Sequence, residues 1–262
     1  MLHNLKEIQS YINSEFYCNH PGKSETTPYL LNTDIENYST IKTHVAEHGF
    51  VIINCKGKPL LSIIRMLQHV FGKQLKDVGI KKKFLAKVAP AKNGKYYVNS
   101  IFSQPLHTDE GYRCEFPRFV SLYCVKPSLT GGVSTLVKTK EVLAALYRLF
   151  DNDVSNFFQP NFLQLDTAYE KIHKQILFNL NETTVGMSYS PILKNITTTE
   201  LGHEMISAVN QFIHDPINQY RIKLKENDLL IMDNCQALHG RTAFAENEDR
   251  LMLRLWNESF SV

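Results

Sequence analysis

Leu106-His107-Thr108-Asp109-Glu110 is the stretch around which the rest of the chain is arranged. His107 and Asp109 are two residues apart, and on a β-strand residues i and i+2 share a face. An imidazole and a carboxylate then stand side by side and can take two adjacent positions on one metal ion. A third ligand has to come from another strand, and His239, at the end of the run Asp233 to Leu238, is the candidate. Two histidines and one carboxylate on one face of an iron leave the other positions open for substrate and oxygen. A small barrel has an interior that holds one metal and one small ligand.

The second informative stretch is Arg250-Leu251-Met252-Leu253-Arg254-Leu255-Trp256. Strand alternation puts Arg250, Met252, Arg254 and Trp256 on one face and the three leucines on the other. Either the arginine face points to solvent or it lines a cavity. Arginine is always charged and grips carboxylates with two parallel hydrogen bonds. Two arginines four residues apart sit roughly 13 Å from each other along a strand. A hairpin over 240–249 would bring Arg250 back beside His239. Metal at one end and arginine at the other is what a chelating keto acid requires.

The chain has 262 residues, 43% hydrophobic and 21% charged, so it can bury a sizeable core. A net charge of +3 is small for this size and argues against nucleic-acid binding by bulk charge. The lysine cluster in 79–83 reads as a solvated loop. Five cysteines without a Cys-x-x-Cys pattern point to free thiols and a reducing compartment. Residues 1–9 are polar, unlike a signal peptide, and no apolar run is long enough to span a bilayer, so the expectation is a soluble cytoplasmic protein without membrane partners.

Helical spacing is present around Leu5, Ile8 and Ile12, over 35–45 ahead of Gly49, and from Leu60 to Phe71 ahead of Gly72, with the apolar strand Phe50 to Asn54 between the last two. Residues 1–75 thus form a helix–strand–helix opening unit. Further strands are expected at 96–99, 106–109, 118–125, 133–137, 175–178, 184–189, 220–224, 229–233 and 250–256, and helices at 138–149 and 199–214. Thr198 or Thr199 is positioned to cap the last helix. The expected architecture is one α+β domain over 1–262, with a double-sheet, jelly-roll core over 95–262, helical insertions and flanking helices.

The order His107-Thr108-Asp109, Gly131-Gly132-Val133-Ser134-Thr135, Asp233-Asn234, His239-Gly240-Arg241, Arg250 and Arg254 resembles the taurine dioxygenase/TfdA-like family of iron(II)- and 2-oxoglutarate-dependent dioxygenases, a group that includes γ-butyrobetaine hydroxylase and clavaminate synthase relatives. The stretch His44 to Ile52, with the helix ending at Phe71-Gly72, is similar to that family's opening segment. The resemblance implies a double-stranded β-helix (cupin-like). It implies His107, Asp109 and His239 as catalytic iron ligands. Arg250 would bind the C5 carboxylate of 2-oxoglutarate, and Thr135 would assist. Ser134 is the alternative hydroxyl, because many members have one acidic residue where Val133-Ser134 stands. Arg254 matches a position that contacts an anionic substrate or the cosubstrate. Fe(2+), 2-oxoglutarate and O2 are implied, with succinate and CO2 released. Asp109 separates the chain from halogenases, which lack the carboxylate.

Substrate contacts are expected from Asn99, Glu110, Tyr112, Arg113, Tyr189 and Arg254. Arg254 and Arg113 favour a carboxylate and Glu110 an amine, so a small amino-acid-like molecule is expected. For each of these the structural alternative is packing or a surface pair, such as Arg113 with Glu115. Hydroxylation is the default outcome, with desaturation or cyclisation sharing its first step. The competing reading is a non-catalytic jelly roll that binds a metal or small acid.

Overall fold

A computed structural model describes residues 5–23, 30–31, 34, 36–77, 83–91, 97–166, 171–191 and 196–262. The chain opens with α1 (Leu5–Ile12), α2 (Glu15–Asn19), β1 (Leu30–Leu31), α3 (Tyr38–His48), β2 (Phe50–Asn54) and α4 (Leu60–Phe71). There follow β3 (Gln74–Leu75), β4 (Ala86–Val88), β5 (Gln104–His107), β6 (Glu115–Lys126), β7 (Ser134–Lys138) and α5 (Thr139–Phe150). Then come β8 (Leu163–Asp166), β9 (Lys171–Lys174), β10 (Leu177–Asn179), β11 (Val185–Met187), β12 (Ile196–Thr197) and α6 (Glu200–His214). The last strands are β13 (Tyr220–Ile222), β14 (Asp228–Asp233), β15 (Ala237–Arg241) and β16 (Leu251–Ser261).

Two sheets face each other. The larger has the order β1-β2-β14-β6-β16-β3, with β4 also on β16; the smaller has the order β13-β7-β15-β5. Phe50, Val120, Leu136, Met232, Met252 and Trp256 fill the space between them. The outer face of the larger sheet is covered by α3 and α4, whose Ile41, Val45, Ile63 and Leu67 meet Val51, Ile231 and Leu255. The outer face of the smaller sheet is covered by α5 and α6, with Val142, Leu146, Met205 and Val209 against Leu106, Val137 and Leu238. Burial on both faces is why β2 and β14 read as continuous apolar runs. This is the jelly roll the sequence led us to expect.

Helix ends follow their residues. Gly49 (φ 83°) takes the left-handed position after α3, and its N–H donates to the Val45 carbonyl. The Thr199 side chain accepts from the N–H of Gly202 at the start of α6.

Two expectations change. The hairpin over 240–249 is absent: β15 pairs with β7 and β5, whereas β16 pairs with β6, β3 and β4, so the connection crosses from one sheet to the other. Alternation holds on β16: Met252 and Trp256 lie between the sheets, and Leu255 packs on the other side under α3 and α4. Residues 97–99 form a 3-10 turn, not a strand, because Arg241 draws the Tyr97, Ser100 and Phe102 carbonyls onto its guanidinium (3.5, 3.0 and 2.8 Å). Tyr96, Ile35 and 79–82 of the lysine cluster lie outside the described residues. Among the described residues no helix is long and apolar enough to cross a membrane.

Candidate active site

The antiparallel register pairs His239 on β15 with His107 on β5, so both imidazoles enter the space between the sheets from neighbouring strands. Their ring centroids are 4.5 Å apart. Asp109 lies beyond the end of β5, in a turn, and not on the strand as its spacing suggested. That turn is pinned at several atoms. Thr108 N–H donates to the Tyr189 carbonyl (2.7 Å), and Asp109 N–H donates to Asn234 Oδ1 (2.9 Å). The Asn234 amide returns bonds to the Asp109 and Pro117 carbonyls (3.1 and 2.8 Å). Glu110 takes a left-handed backbone (φ 56°), uncommon for a residue with a side chain and found where surrounding structure enforces it.

Asp109 Oδ1 is 3.2 Å from His107 Nε2 and 3.6 Å from His239 Nε2. One ligand atom from each of the three residues lies within 4.8 Å of the others. His107 Nδ1 is 2.9 Å from the Pro105 carbonyl; its proton donates there and leaves the Nε2 lone pair for a metal. Burial alone would raise the Asp109 carboxyl, but Arg254 and both imidazoles hold it well below the usual carboxylate range. Burial and His107 push His239 down, against the pull of Asp109. Two neutral imidazoles and one ionised carboxylate, converging from one side, form a donor set that suits a divalent iron with open positions.

A second feature sits alongside. Arg250 and Arg241 are buried, and among the described residues neither pairs with a carboxylate. Arg250 Nε and Arg241 Nη1 are buried without a hydrogen-bond partner. Burial lowers Arg250 to about 10, and burial with the neighbouring Arg250 lowers Arg241 to about 9. Unpaired buried cations are costly unless an anion joins them. A dicarboxylate whose far end reaches these arginines fits.

The register also puts the two hydroxyls on opposite faces. Ser134 lies opposite Arg241 and Leu136 opposite His239, so Ser134 shares the inner face with the histidine. Thr135 lies opposite Gly240 and Arg221 and faces the other way, toward Tyr17 under Arg221. Of the two hydroxyls left open by the sequence, Thr135 is turned off the inner face; Arg241, unassigned from the sequence, is on it.

The sequence matches the family described as "Taurine catabolism dioxygenase TauD, TfdA family" over residues 25–256. The chain belongs to that family. The chain is 24% identical over 220 residues to "Dioxygenase str8" from Strobilurus tenacellus; this covers 78% of the chain and 50% of that protein, so the chain spans about half the length of the curated relative. Similar solved structures include asparagine oxygenase with Fe(II), 2S,3S-3-hydroxyasparagine and succinate (TM-score 0.70, 16% identity, 85% of this chain and 78% of that one). Another is the non-heme iron oxygenase OrfP with Fe and alpha-ketoglutaric acid (TM-score 0.66, 13% identity, 84% and 79%). At these identities the likeness to solved structures shows that the chain shares their fold.

The remaining expected residues separate into two groups. Glu110 and Arg113 line a cavity of about 610 Å³, together with Leu75, Phe116, Ile172 and Trp256. Tyr112 Oη and Arg113 Nη1 both donate to Glu110 Oε2 (2.7 and 3.3 Å), so Arg113 pairs with Glu110 and not with Glu115. Tyr189, in contrast, is buried in the helical layer, with its hydroxyl donating to Asn210 Oδ1 (2.7 Å). Asn99 lies in the 3-10 turn held by Arg241. Arg254 is engaged by two carboxylates, Asp109 and Asp77. Asp77, Trp256, Asn234 and Arg241 carry no signal of these roles in the sequence beyond the strand alternation of Trp256 and the Asp233-Asn234 and His239-Gly240-Arg241 motifs.

Proposed function

We propose that the protein is an iron(II)- and 2-oxoglutarate-dependent dioxygenase that hydroxylates a C–H bond of a small, amino-acid-like or carboxylate-bearing molecule. The observation that carries this reading is the buried His107–Asp109–His239 set beside two buried arginines that lack an anion. His107, Asp109 and His239 hold the metal. Arg250, with Ser134 and Arg241 on the same inner face, receives the far carboxylate of 2-oxoglutarate. When bound, iron with 2-oxoglutarate supplies the oxidising power of O2 and yields succinate and CO2. The protein's work is to place one C–H bond at the metal and to keep bulk water out. Pro105 and Asn234 fix the ligands, and the apolar filling between the sheets excludes water.

The cavity walled by Trp256 and Glu110 is the substrate's place in this reading, because Trp256 Nε1 donates to Asp109 Oδ2 (2.8 Å) and Glu110 follows Asp109 directly. Glu110 would take an ammonium group and Arg113 a carboxylate. The named relatives with bound hydroxyasparagine and hydroxyarginine support an amino acid. The test is a panel of amino acids incubated with protein, Fe(II), ascorbate and 2-oxoglutarate and read by mass spectrometry. The reading expects a gain of one oxygen in one substrate, with succinate in proportion. A complete panel in which nothing exceeds uncoupled succinate formation removes the amino-acid assignment.

A further inference from the structure

The resemblance implies that Arg254 contacts an anionic substrate or the cosubstrate. Its surroundings leave it no free edge. Nε and Nη2 both donate to Asp77 Oδ2 (2.9 and 2.7 Å). Nη1 donates to both oxygens of Asp109 (3.2 and 3.1 Å). The guanidinium carbon lies 4.9 Å from the centroid of the Trp256 ring, which covers one face. A substrate carboxylate needs two parallel N–H donors for a forked grip, and here the paired donors already serve Asp77. Among the described residues lining the large cavity, neither Arg254 nor Asp77 occurs, although Trp256 does.

Asp77 follows two residues after β3, the short strand that pairs with β16. β3 runs antiparallel to β16 with Leu75 opposite Trp256. Further along the same edge β4 pairs with β16, with Ala86 opposite Arg254, so Asp77 lies in the segment between these two pairings. The backbone of Asp77 is fixed in turn by a bridge to Lys83, with the Asp77 N–H donating to the Lys83 carbonyl (2.8 Å). Both side chains are buried, Asp77 to 3% exposure and Arg254 to 8%.

We propose that Asp77 is a positioning residue of the metal centre: it holds Arg254 so that the opposite side of the guanidinium fixes the Asp109 carboxylate, and Arg254 is thereby withdrawn from substrate binding. The inference rests on the dioxygenase reading for the identity of the metal. The charges agree with it. Two carboxylates around one guanidinium leave a net negative charge for a cation, whereas Arg254 with Asp109 alone would leave none. Trp256 bonds the second oxygen of Asp109, so between them Arg254 and Trp256 fix the plane of the carboxylate. Partners that orient a metal ligand typically change metal affinity by about 10- to 100-fold when removed. The substrate's anionic group then has to be met in the cavity itself, where Arg113, beside Glu110, lines the wall with Lys76 and Lys171.

The test is an anaerobic titration of the metal-free full chain with Fe(II) alone, for wild type, Asp77→Asn, Arg254→Gln and the double variant, with melting curves on each. Asp77→Asn is expected to loosen Fe(II) by about tenfold or more. The double variant is expected to bind no worse than Arg254→Gln, because Asp77 acts through Arg254. The visible charge-transfer band of the Fe(II)–2-oxoglutarate complex is expected to shift in Asp77→Asn, which a merely stabilising contact would not do. A folded Asp77→Asn protein with wild-type Fe(II) affinity and an unmoved band overturns the proposal, as do losses that multiply in the double variant. Should Asp77→Asn not fold, Arg254→Lys decides: a lysine cannot bridge two carboxylates, so unchanged Fe(II) affinity overturns the proposal and loosened Fe(II) supports it. If wild type binds Fe(II) but forms no charge-transfer band with 2-oxoglutarate, the dioxygenase reading falls, and the positioning role is judged on the Fe(II) titration alone.

Discussion

Ser134 and Thr135 are adjacent in sequence and face opposite sides of β7, so they offer a sharp discrimination. Ser134→Ala removes a hydroxyl from the face that carries His239 and Arg241; Thr135→Val removes one from the face toward Tyr17. A hydrogen bond to a charged group contributes about 1.5–3 kcal/mol, which corresponds to roughly 10- to 150-fold in a dissociation constant. Ser134 shares its carboxylate with Arg250, so the lower end applies, about tenfold. The assay is anaerobic titration of the Fe(II) protein with 2-oxoglutarate, followed by its charge-transfer absorption. Ser134→Ala is expected to weaken 2-oxoglutarate by about tenfold, and Thr135→Val to leave it unchanged. The reverse pattern would refute the register argument, and with it the orientation assigned to the inner face of the smaller sheet.

Further outcomes follow from other sites. His214 is buried between α6 and β5, with burial pushing it down to about 4 from 6.5. The unfolded chain therefore takes up this proton below about 6.5 and the folded chain only below about 4, so stability falls as pH drops through that window. Urea melts at pH 7 and pH 5 should show a loss that a folded His214→Gln variant lacks. Gly240→Ala would place its Cβ 2.6 Å from the Gln104 carbonyl and 3.2 Å from Leu106 N, both backbone atoms. Overpacking of this kind costs typically about 1–3 kcal/mol, and thermal melts of this variant should show it together with weakened Fe(II) binding. Tyr189→Phe should lower stability by about 1 kcal/mol through the lost bond to Asn210 and leave the KM of an identified substrate unchanged; a raised KM would return Tyr189 to the substrate's surroundings.

Much of this was legible in the residues. The helix–strand–helix opening shows in its spacing and in Gly49 and Gly72, and the four residues His107, Asp109, His239 and Arg250 stand at recognisable intervals. What stayed hidden was tertiary. A strand pattern states which residues share a face, but not which sheet the strand joins; so β15 and β16 looked like a hairpin until their partners were seen. A one-residue choice such as Ser134 or Thr135 turns on register, which alternates faces along a strand. Tyr189 looked like a pocket wall because aromatic residues on strands serve either purpose, and only its bond to Asn210 separates them. Asp77 was invisible because its place depends on β3 and β4 both pairing with β16, which joins residues about 180 apart in sequence.

The central claim is that His107, Asp109 and His239 hold an iron that 2-oxoglutarate chelates with its far end on Arg250. Anaerobic addition of Fe(II) and then 2-oxoglutarate tests it most directly. The account predicts a visible charge-transfer band in the wild type, no band in Asp109→Ala, and a band that needs far more 2-oxoglutarate in Arg250→Ala. A wild type without the band, or an Arg250→Ala variant that saturates at the wild-type concentration, would contradict it.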